Sequence, residues 1–258
     1  MISVQNLEKK YEQKIALNSI SFEIPRGEIC GYIGPNGAGK STTVKILTGM
    51  LTPEAGTISI KGIDVREKPD LIKPMIGYVP ETGAVYESLT PMEYLQLVGR
   101  LHELEDALIE ERSNMFLEYF ELLPVANSMM TTYSKGMRQK VVIIASLIHA
   151  PEILFFDEPL HGLDANATVL FKELVRNLAR RGKTILYCSH LLDIVERICD
   201  RIIILRKGNI IAQGTFEEIR TLTKQETLEE AFSFLTDTNN VEERTLKLLE
   251  AFEKTIPA

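Results

Sequence analysis

The chain has 258 residues, 45% of them hydrophobic and 25% charged, which is typical of a globular protein rather than a disordered one. Its 29 basic and 36 acidic residues give a formal net charge of −7 without any block of like charge, which argues against nucleic acid as a partner. The three cysteines, Cys30, Cys188 and Cys199, lack metal-binding or redox spacing, so reduced core residues of a cytosolic protein are expected.

No membrane-spanning helix or signal peptide is expected. The longest apolar stretch, Val141 to Ile148, is much shorter than the about 18–20 residues that cross a bilayer. The N-terminus lacks a charged leader followed by an apolar core. A role at a membrane would therefore require another chain to hold this one there.

Strand patterns dominate the first 80 residues. The bursts ISVQNL and ALNSISFEI alternate apolar and polar residues and predict antiparallel strands. An apolar strand over 28–33 leads through a glycine-rich loop into a helix over 41–50. GTISIKG and MIGYV, at 56–62 and 75–79, predict two further strands.

The next segment, 85–150, carries helical patterns. Thr90 to Glu93 reads TPME, a capping box with proline at the first helical position. The helix predicted over 134–149 is apolar on most faces, so burial on more than one side is expected.

Strands and helices then alternate again. EILFF, KTILYC and RIIILR are continuous apolar runs, as expected for parallel strands covered on both faces. Asp164 is expected to cap a helix that ends near Arg181, Lys207 to Asn209 predicts a hairpin turn, and Thr215 begins a second capping box. Beyond it, Val241, Leu248, Leu249 and Phe252 would share one helical face, and packing of that face on the protein body is expected.

These elements predict an α/β protein. Residues 1–84 and 151–220 are expected to form a nucleotide-binding core with an N-terminal antiparallel β part. A helical subdomain at 85–150 is inserted into this core, and 221–258 forms a helical extension. Parallel strands covered by helices bind ligands at the carboxyl ends of the strands.

The glycine-rich loop reads GPNGAGKS over 34–41 and fits G-x-x-x-x-G-K-[ST]. Its backbone N–H groups can cradle phosphate oxygens, and the following helix adds its positive end. Lys40 supplies a charge for the β- and γ-phosphates, and the Ser41 hydroxyl is placed to reach Mg²⁺. The strand–loop–helix context favours a nucleoside triphosphate site over a surface turn. The expected nucleotide-binding residues are Gly34, Pro35, Asn36, Gly37, Ala38, Gly39, Lys40, Ser41 and Thr42.

Further candidate side chains stand at strand ends. Asp157 ends the run ILFF, where a carboxylate that holds Mg²⁺ is expected, and Glu158 follows it in position to orient or deprotonate a water molecule. His190 follows TILYCS and is predicted to sense the γ-phosphate. Tyr11 either stacks on an adenine ring or is a half-buried strand residue.

Taken in order, GPNGAGKST, GYVPE, YSKGMRQK, ILFFDEP, HGLD and CSH resemble the nucleotide-binding subunit of an ABC transporter, over about residues 1–220. The resemblance implies a P-loop NTPase fold of the RecA-like kind. It also implies the family's A-loop at Tyr11, Walker A at 34–42, Q-loop at 77–81, signature at 133–137, Walker B at 153–158, D-loop at 160–164 and H-switch at His190.

The resemblance further implies ATP hydrolysis with ATP and Mg²⁺, coupled to a separate transmembrane permease. Two subunits would pair head to tail, each ATP lying between one Walker A and the other subunit's signature, where Ser134 and Gly136 would bind it. A single copy of each motif implies a homodimer or a pairing with a homologous ATPase subunit. The expected location is cytoplasmic, on the inner face of the membrane through the permease.

Three of the motifs depart from the family pattern. Glu81 replaces the Q-loop glutamine; it still offers an oxygen to Mg²⁺ or the attacking water but adds negative charge beside the γ-phosphate. In the signature, Lys135 adds a cation and Met137 removes a hydrogen-bonding amide. His161 replaces a small D-loop residue and bears on communication between the two sites. The signature resembles the exporter branch more than the importers.

Two other functions are considered. A soluble ABC ATPase of DNA repair or translation usually has a coiled-coil insertion or two nucleotide-binding halves, which are not found in this sequence. A regulatory module with weak hydrolysis is disfavoured by Glu158 and His190 and favoured by Glu81. For a transporter, a permease helix is predicted to dock near Tyr86, Leu89, Tyr94 and Leu97, although a core position is expected for Leu97.

Overall fold

The computed structural model describes residues 1–236 and 248–249, and this part of the chain forms ten strands and nine α-helices. The strands are β1 (Ile2–Tyr11), β2 (Lys14–Ile24), β3 (Ile29–Ile33), β4 (Ala55–Ile60), β5 (Ile63–Asp64), β6 (Ile76–Val79), β7 (Ile153–Asp157), β8 (Thr184–Cys188), β9 (Arg201–Arg206) and β10 (Asn209–Gly214). The helices are α1 (Lys40–Leu47), α2 (Pro69–Ile72), α3 (Pro91–Leu101), α4 (Asp106–Tyr119), α5 (Lys135–Leu147), α6 (Ala165–Arg180), α7 (Leu192–Ile198), α8 (Phe216–Thr223) and α9 (Leu228–Leu235).

The strands form two sheets. The smaller sheet has the order β2-β1-β4-β5 and is antiparallel, which confirms the prediction from the alternating N-terminal pattern. The larger sheet has the order β10-β9-β3-β8-β7-β6 and is parallel except for β10, which returns from β9 through the predicted hairpin. Every residue of β3, β7 and β8 is buried, which explains their continuous apolar runs.

Two hydrophobic clusters hold the layers together. One lies between the sheets, where Val44, Ile46 and Leu47 of α1 pack against residues from both. The other covers the opposite face of the parallel sheet and draws its residues from α3–α9. The parallel sheet is therefore covered on both faces, and the carboxyl ends of its strands remain at one edge as the place for a ligand.

The predicted caps are present. Thr90 and Thr215 each accept a hydrogen bond from the backbone N–H three residues later, and both capping boxes are complete. Asp164 accepts from Ala167 N at the start of α6. The helix predicted over 41–50 ends earlier, at Leu47, because the chain turns at Gly49 with a φ of 74°. The short elements β5 and α2 were not predicted.

Two expectations concern the C-terminal part. Helices α8 and α9 confirm a helical continuation as far as Leu235, whereas Val241 and Phe252 lie outside the described residues. Leu248 and Leu249 are exposed, so the expectation that they pack on the body is wrong. The division of the chain at 85, 151 and 221 stays a prediction. None of the helices described is both long and apolar enough to cross a bilayer.

Candidate functional site

The glycine-rich loop joins β3, in the middle of the parallel sheet, to α1. Gly37 and Gly39 have φ values of 78° and 115°, a region that favours glycine. A Cβ at Gly39 would also lie 2.7 Å from the carbonyl oxygen of Ala16. These two positions require glycine so that the loop can fold back over the start of α1.

Lys40 is the first residue of α1, and only 9% of it is exposed. Its Nζ donates hydrogen bonds to the carbonyl oxygens of Gly34, at 2.6 Å, and Pro35, at 3.4 Å. The ammonium group is therefore held by the loop at the positive end of a helix dipole. This arrangement concentrates positive charge where the phosphate oxygens of a nucleotide would bind.

Asp157 ends β7 and is 2% exposed. Burial raises its pKa; the Ser41 hydrogen bond lowers it, and the charges of Glu81 and Glu158 raise it further. Three carboxylates from the ends of neighbouring strands therefore line one cavity together with Lys40. Such a group of oxygen donors suits a hard cation.

Glu158 follows Asp157 in a strained backbone conformation, with a φ of 52° that is uncommon for a non-glycine residue. Its N–H donates to the carbonyl oxygen of Cys188 at 2.9 Å. Its Oε2 lies 2.8 Å from Nδ1 of His190, so the two side chains form a pair. The carboxylate is 13% exposed and the imidazole 68%, which leaves the pair reachable from solvent through the histidine.

A cavity of about 310 Å³ brings most of the predicted site together. It is lined by Tyr11, Lys14, Ala16, Asn36, Gly37, Gly39, Lys40, Ser41, Thr42, Glu81, Asp157 and Glu158. Gly34, Pro35 and Ala38 complete the loop, and His190 stands behind Glu158. Tyr11 is the last residue of β1, is 45% exposed and lines the cavity, so both the stacking role and the half-buried strand position stay open.

Lys14 and Ala16 were missed by the sequence reasoning. Lys14 begins β2 and pairs in register with Tyr11 across the first hairpin. A Cβ at Gly37 would lie 3.7 Å from its Nζ, so the Lys14 ammonium reaches the phosphate loop. The available signal was the proximity of a lysine to Tyr11 in a short hairpin, which brings both side chains to one place.

The sequence profile described as ABC transporter matches residues 17–161 of this chain. The ABC transporter ATP-binding protein NatA of Bacillus subtilis (strain 168) is 35% identical over 238 residues, which cover 90% of this chain and 96% of NatA. The chain belongs to the ABC transporter family.

Solved structures of the family have the same fold. A structure of the ATP-binding subunit of an ABC transporter superposes with a TM-score of 0.86 at 35% identity and covers 91% of this chain and 99% of its own. The ATP-binding cassette MJ0796, a dimer in a post-hydrolysis state with ADP and Pi bound, superposes with a TM-score of 0.78 at 25% identity, covering 83% and 98%. The predicted P-loop core with its antiparallel sheet and inserted helices is thus confirmed.

The segment 133–137, predicted to be the signature, lies at the start of α5, and Ser134 and Gly136 do not line the phosphate cavity. Ser134 is the N-cap of α5 and accepts a hydrogen bond from Met137 N at 3.2 Å. A Cβ at Gly136 would lie 2.2 Å from the carbonyl oxygen of Gly162, so only glycine fits this contact. Ser134 is exposed, so its hydroxyl and the helix start are accessible from solvent.

Further contacts tie α5 to the segment 159–164, which follows Glu158. Nε2 of Gln139 donates to the carbonyl oxygen of Pro159 at 3.0 Å, and both residues are buried. Nζ of Lys140 pairs with the Asp164 carboxylate at 3.2 Å, and the Asp164 side chain also caps α6. The helix that carries the signature and the loop that follows Walker B are therefore held together at several points.

Proposed function

We propose that this chain is the ATP-hydrolysing subunit of an ABC transporter and that it powers a separate membrane permease. The observation that carries the proposal is the single cavity that joins the buried Lys40, the glycine-rich loop and three carboxylates at the ends of parallel strands. The signature over 133–137 supports the exporter branch.

ATP would bind with its phosphates against the loop N–H groups and Lys40 and its adenine on Tyr11. The oxygen donors of Ser41, Asp157 and Glu81 fit Mg²⁺, which would neutralise charge on the phosphates. The described residues contain no cluster of three or more His, Cys, Asp or Glu side chains that would hold a metal alone. Mg²⁺ keeps water and phosphate oxygens among its ligands and needs only one or two carboxylates from the protein.

Glu158 would orient and deprotonate the attacking water, because its carboxylate lines the cavity beside the acids that face the phosphates. His190, 2.8 Å from Glu158, would hold that carboxylate in place and reach the γ-phosphate when ATP is bound. The strained backbone of Glu158 supports this assignment, because such conformations concentrate at functional sites.

Ser134 and Gly136 would serve the γ-phosphate of a second copy, or of a homologous subunit, in a head-to-tail dimer. They lie at the start of α5 and do not line the cavity that contains Lys40. The dimeric state of the MJ0796 cassette supports such an arrangement. Two composite ATP sites would then form together.

The permease would dock in a groove of about 400 Å³ beside the Glu81 loop. Its lining is mainly apolar and includes Tyr78, Ala84, Tyr94, Val98, His102 and Val142. Tyr86 and Leu97 are 64% and 38% exposed, so a core position for Leu97 is wrong, whereas Leu89 packs partly against the chain's own core. A permease helix would cover this groove and hold the protein on the inner face of the membrane.

Substitution of Glu158 tests the hydrolytic assignment. Glu158→Gln is expected to lower ATP turnover by roughly 10²–10⁴-fold, since the amide cannot accept the proton, while ATP binding is kept. A nucleotide-bound dimer should accumulate, which sedimentation velocity would detect. Glu173→Gln on α6 is the control and should leave turnover unchanged. Normal turnover of Glu158→Gln would contradict the assignment.

A photo-crosslinking amino acid in place of Tyr86 tests the docking groove in native membranes. The expected crosslink partner is a polypeptide with about six apolar segments of membrane-spanning length. The same probe in place of Leu222, which is exposed on α8, is the control and should not reach that polypeptide. Crosslinks from position 86 that stay within this chain would refute the docking site.

A further inference from the structure

One residue from each of the three motifs that depart from the ABC pattern lines a second cavity. Glu81, Lys135 and His161 all line a space of about 360 Å³ between the loop after β6 and the start of α5. Glu81 lines the nucleotide cavity as well, so the two cavities adjoin at this carboxylate. Residues far apart in sequence thus place one acid, one lysine and one histidine on the same face of the molecule.

Lys135 differs from the two other cations at the start of α5. Arg138 pairs with Glu87 at 3.6 Å, and Lys140 pairs with Asp164 at 3.2 Å. In the part of the chain that the structure describes, no carboxylate forms an ion pair with Lys135, whose Nζ instead lies 3.0 Å from Nε2 of His161. An ammonium group only donates hydrogen bonds, so this Nε2 accepts and the ring carries its proton on Nδ1.

The nucleotide cavity has an excess of negative charge. Glu81, Asp157 and Glu158 line it together with two lysines, Lys14 and Lys40. A bound triphosphate adds further negative charge beside Glu81, at a position where the family has a neutral glutamine. An additional cation close to Glu81 would therefore stabilise the nucleotide-bound state.

We propose that Lys135 of one copy supplies this cation to the Glu81 side chain in the partner copy, beside the terminal phosphate, and that His161 positions Lys135 for it. The inference rests on the head-to-tail dimer proposed above. Lys135 lies between Ser134 and Gly136, so it approaches the same phosphate as they do. Within one chain, Glu81 and Lys135 share a cavity without forming an ion pair, which leaves Lys135 available to the partner.

Dimerisation of the full chain with ATP tests the pairing, with Glu158→Gln as the parent so that ATP is not consumed. Adding Lys135→Gln is expected to weaken ATP-dependent association by roughly ten- to a hundredfold, as for the loss of a charge-assisted contact. Adding Glu81→Gln to that protein should restore the association, because the unbalanced acid is then gone. Lys68→Gln removes an exposed lysine before α2 and should have no effect.

A mixture identifies the copy that supplies the cation. A donor-labelled Lys135→Gln protein and an acceptor-labelled Glu81→Gln protein, both in the Glu158→Gln background, are mixed with ATP, and energy transfer reports only heterodimers. One composite site then contains Glu81 with Lys135, and the other contains two glutamines, so both are balanced. Heterodimers as tight as the parent dimer are expected, and weaker ones would overturn the proposal.

His161 is tested as a positioning residue by two substitutions. His161→Gln keeps an acceptor near the position of Nε2 and should retain the parent's ATP-dependent association, whereas His161→Phe removes the acceptor and should weaken it as Lys135→Gln does. Equal association of the two variants would refute the role of His161. If the Glu158→Gln parent itself does not dimerise with ATP, the proposed dimer fails, and if it dimerises but Lys135→Gln has no effect, the inference alone fails.

Discussion

Two helix starts in this protein suit phosphate oxygens, and they differ in what surrounds them. At α1, a glycine-rich loop, a buried lysine and three carboxylates enclose a cavity within one chain. At α5, Ser134 and Lys135 are exposed, and the helix start is packed against Gly162 of the same chain. Both places offer the positive end of a helix. At α1 the same chain supplies the rest of the phosphate site, whereas the start of α5 is left accessible.

The largest effect is expected when a protein altered at the start of α1 is mixed with one altered at the start of α5 and ATP turnover is measured. Lys40→Ala removes the phosphate cation at α1, and Ser134→Arg blocks the helix start at α5, so each homodimer has two broken sites. A heterodimer of the two has one intact composite site, and ATP turnover is expected only in the mixture. Subunit exchange is verified by labelling. An inactive mixture with confirmed exchange would mean that both sites must be intact or that the two helix starts do not meet.

Lys40→Ala alone should lower the affinity of the single chain for ATP by roughly ten- to a hundredfold, since the phosphates lose a charged hydrogen-bonding partner. Equilibrium binding of a fluorescent ATP analogue measures the loss. Lys45→Ala, an exposed position in the last turn of α1, is the matched control with unchanged affinity. Retained affinity in Lys40→Ala would exclude the loop as the phosphate site.

Tyr11→Ala should lower ATP affinity by roughly tenfold through the loss of base stacking. Inorganic tripolyphosphate has no base, so its affinity should be the same for this variant and for the unaltered protein. Tyr86→Ala removes another exposed tyrosine ring, which lies outside the nucleotide cavity, and serves as the control. An equal loss for ATP and tripolyphosphate would show that Tyr11 acts on the fold of the loop instead.

Two substitutions of Ser134 distinguish its role as a helix cap from its proposed role in ATP binding, and their effect on stability is the smallest expected here. Ser134→Ala should lower the free energy of unfolding by about 1 kcal/mol, because the bond from Met137 N is lost. Ser134→Asp keeps a good cap and therefore the stability, but it places negative charge against the partner's triphosphate. Denaturant unfolding should therefore show the larger loss of stability for Ser134→Ala, whereas ATP turnover should fall further in Ser134→Asp. Full turnover of Ser134→Asp would exclude this helix start from the ATP site.

Those parts of the site that are formed by residues close together in the sequence could be predicted. The loop over 34–41, the strand end at Asp157 and Glu158, and the caps at Thr90 and Asp164 could all be inferred from neighbouring residues. The contact between Lys135 and His161 could not, because it depends on how separate segments pack. Lys14 was missed although it lies close to Tyr11 in one hairpin. The prediction that Leu248 and Leu249 pack on the protein body was wrong, because a pattern that places residues on one helical face does not specify what covers that face.

The buried bond from Gln139 to the Pro159 carbonyl oxygen has a mechanical consequence. Pro159 is covalently joined to Glu158, so any rotation of α5 shifts the backbone that carries the proposed base. Val142 of α5 also lines the groove where the permease is proposed to dock. Movement of a docked permease helix would therefore be transmitted through α5 to the Glu158 carboxylate. The conformation of the permease would then control the rate of the ATP hydrolysis that powers it.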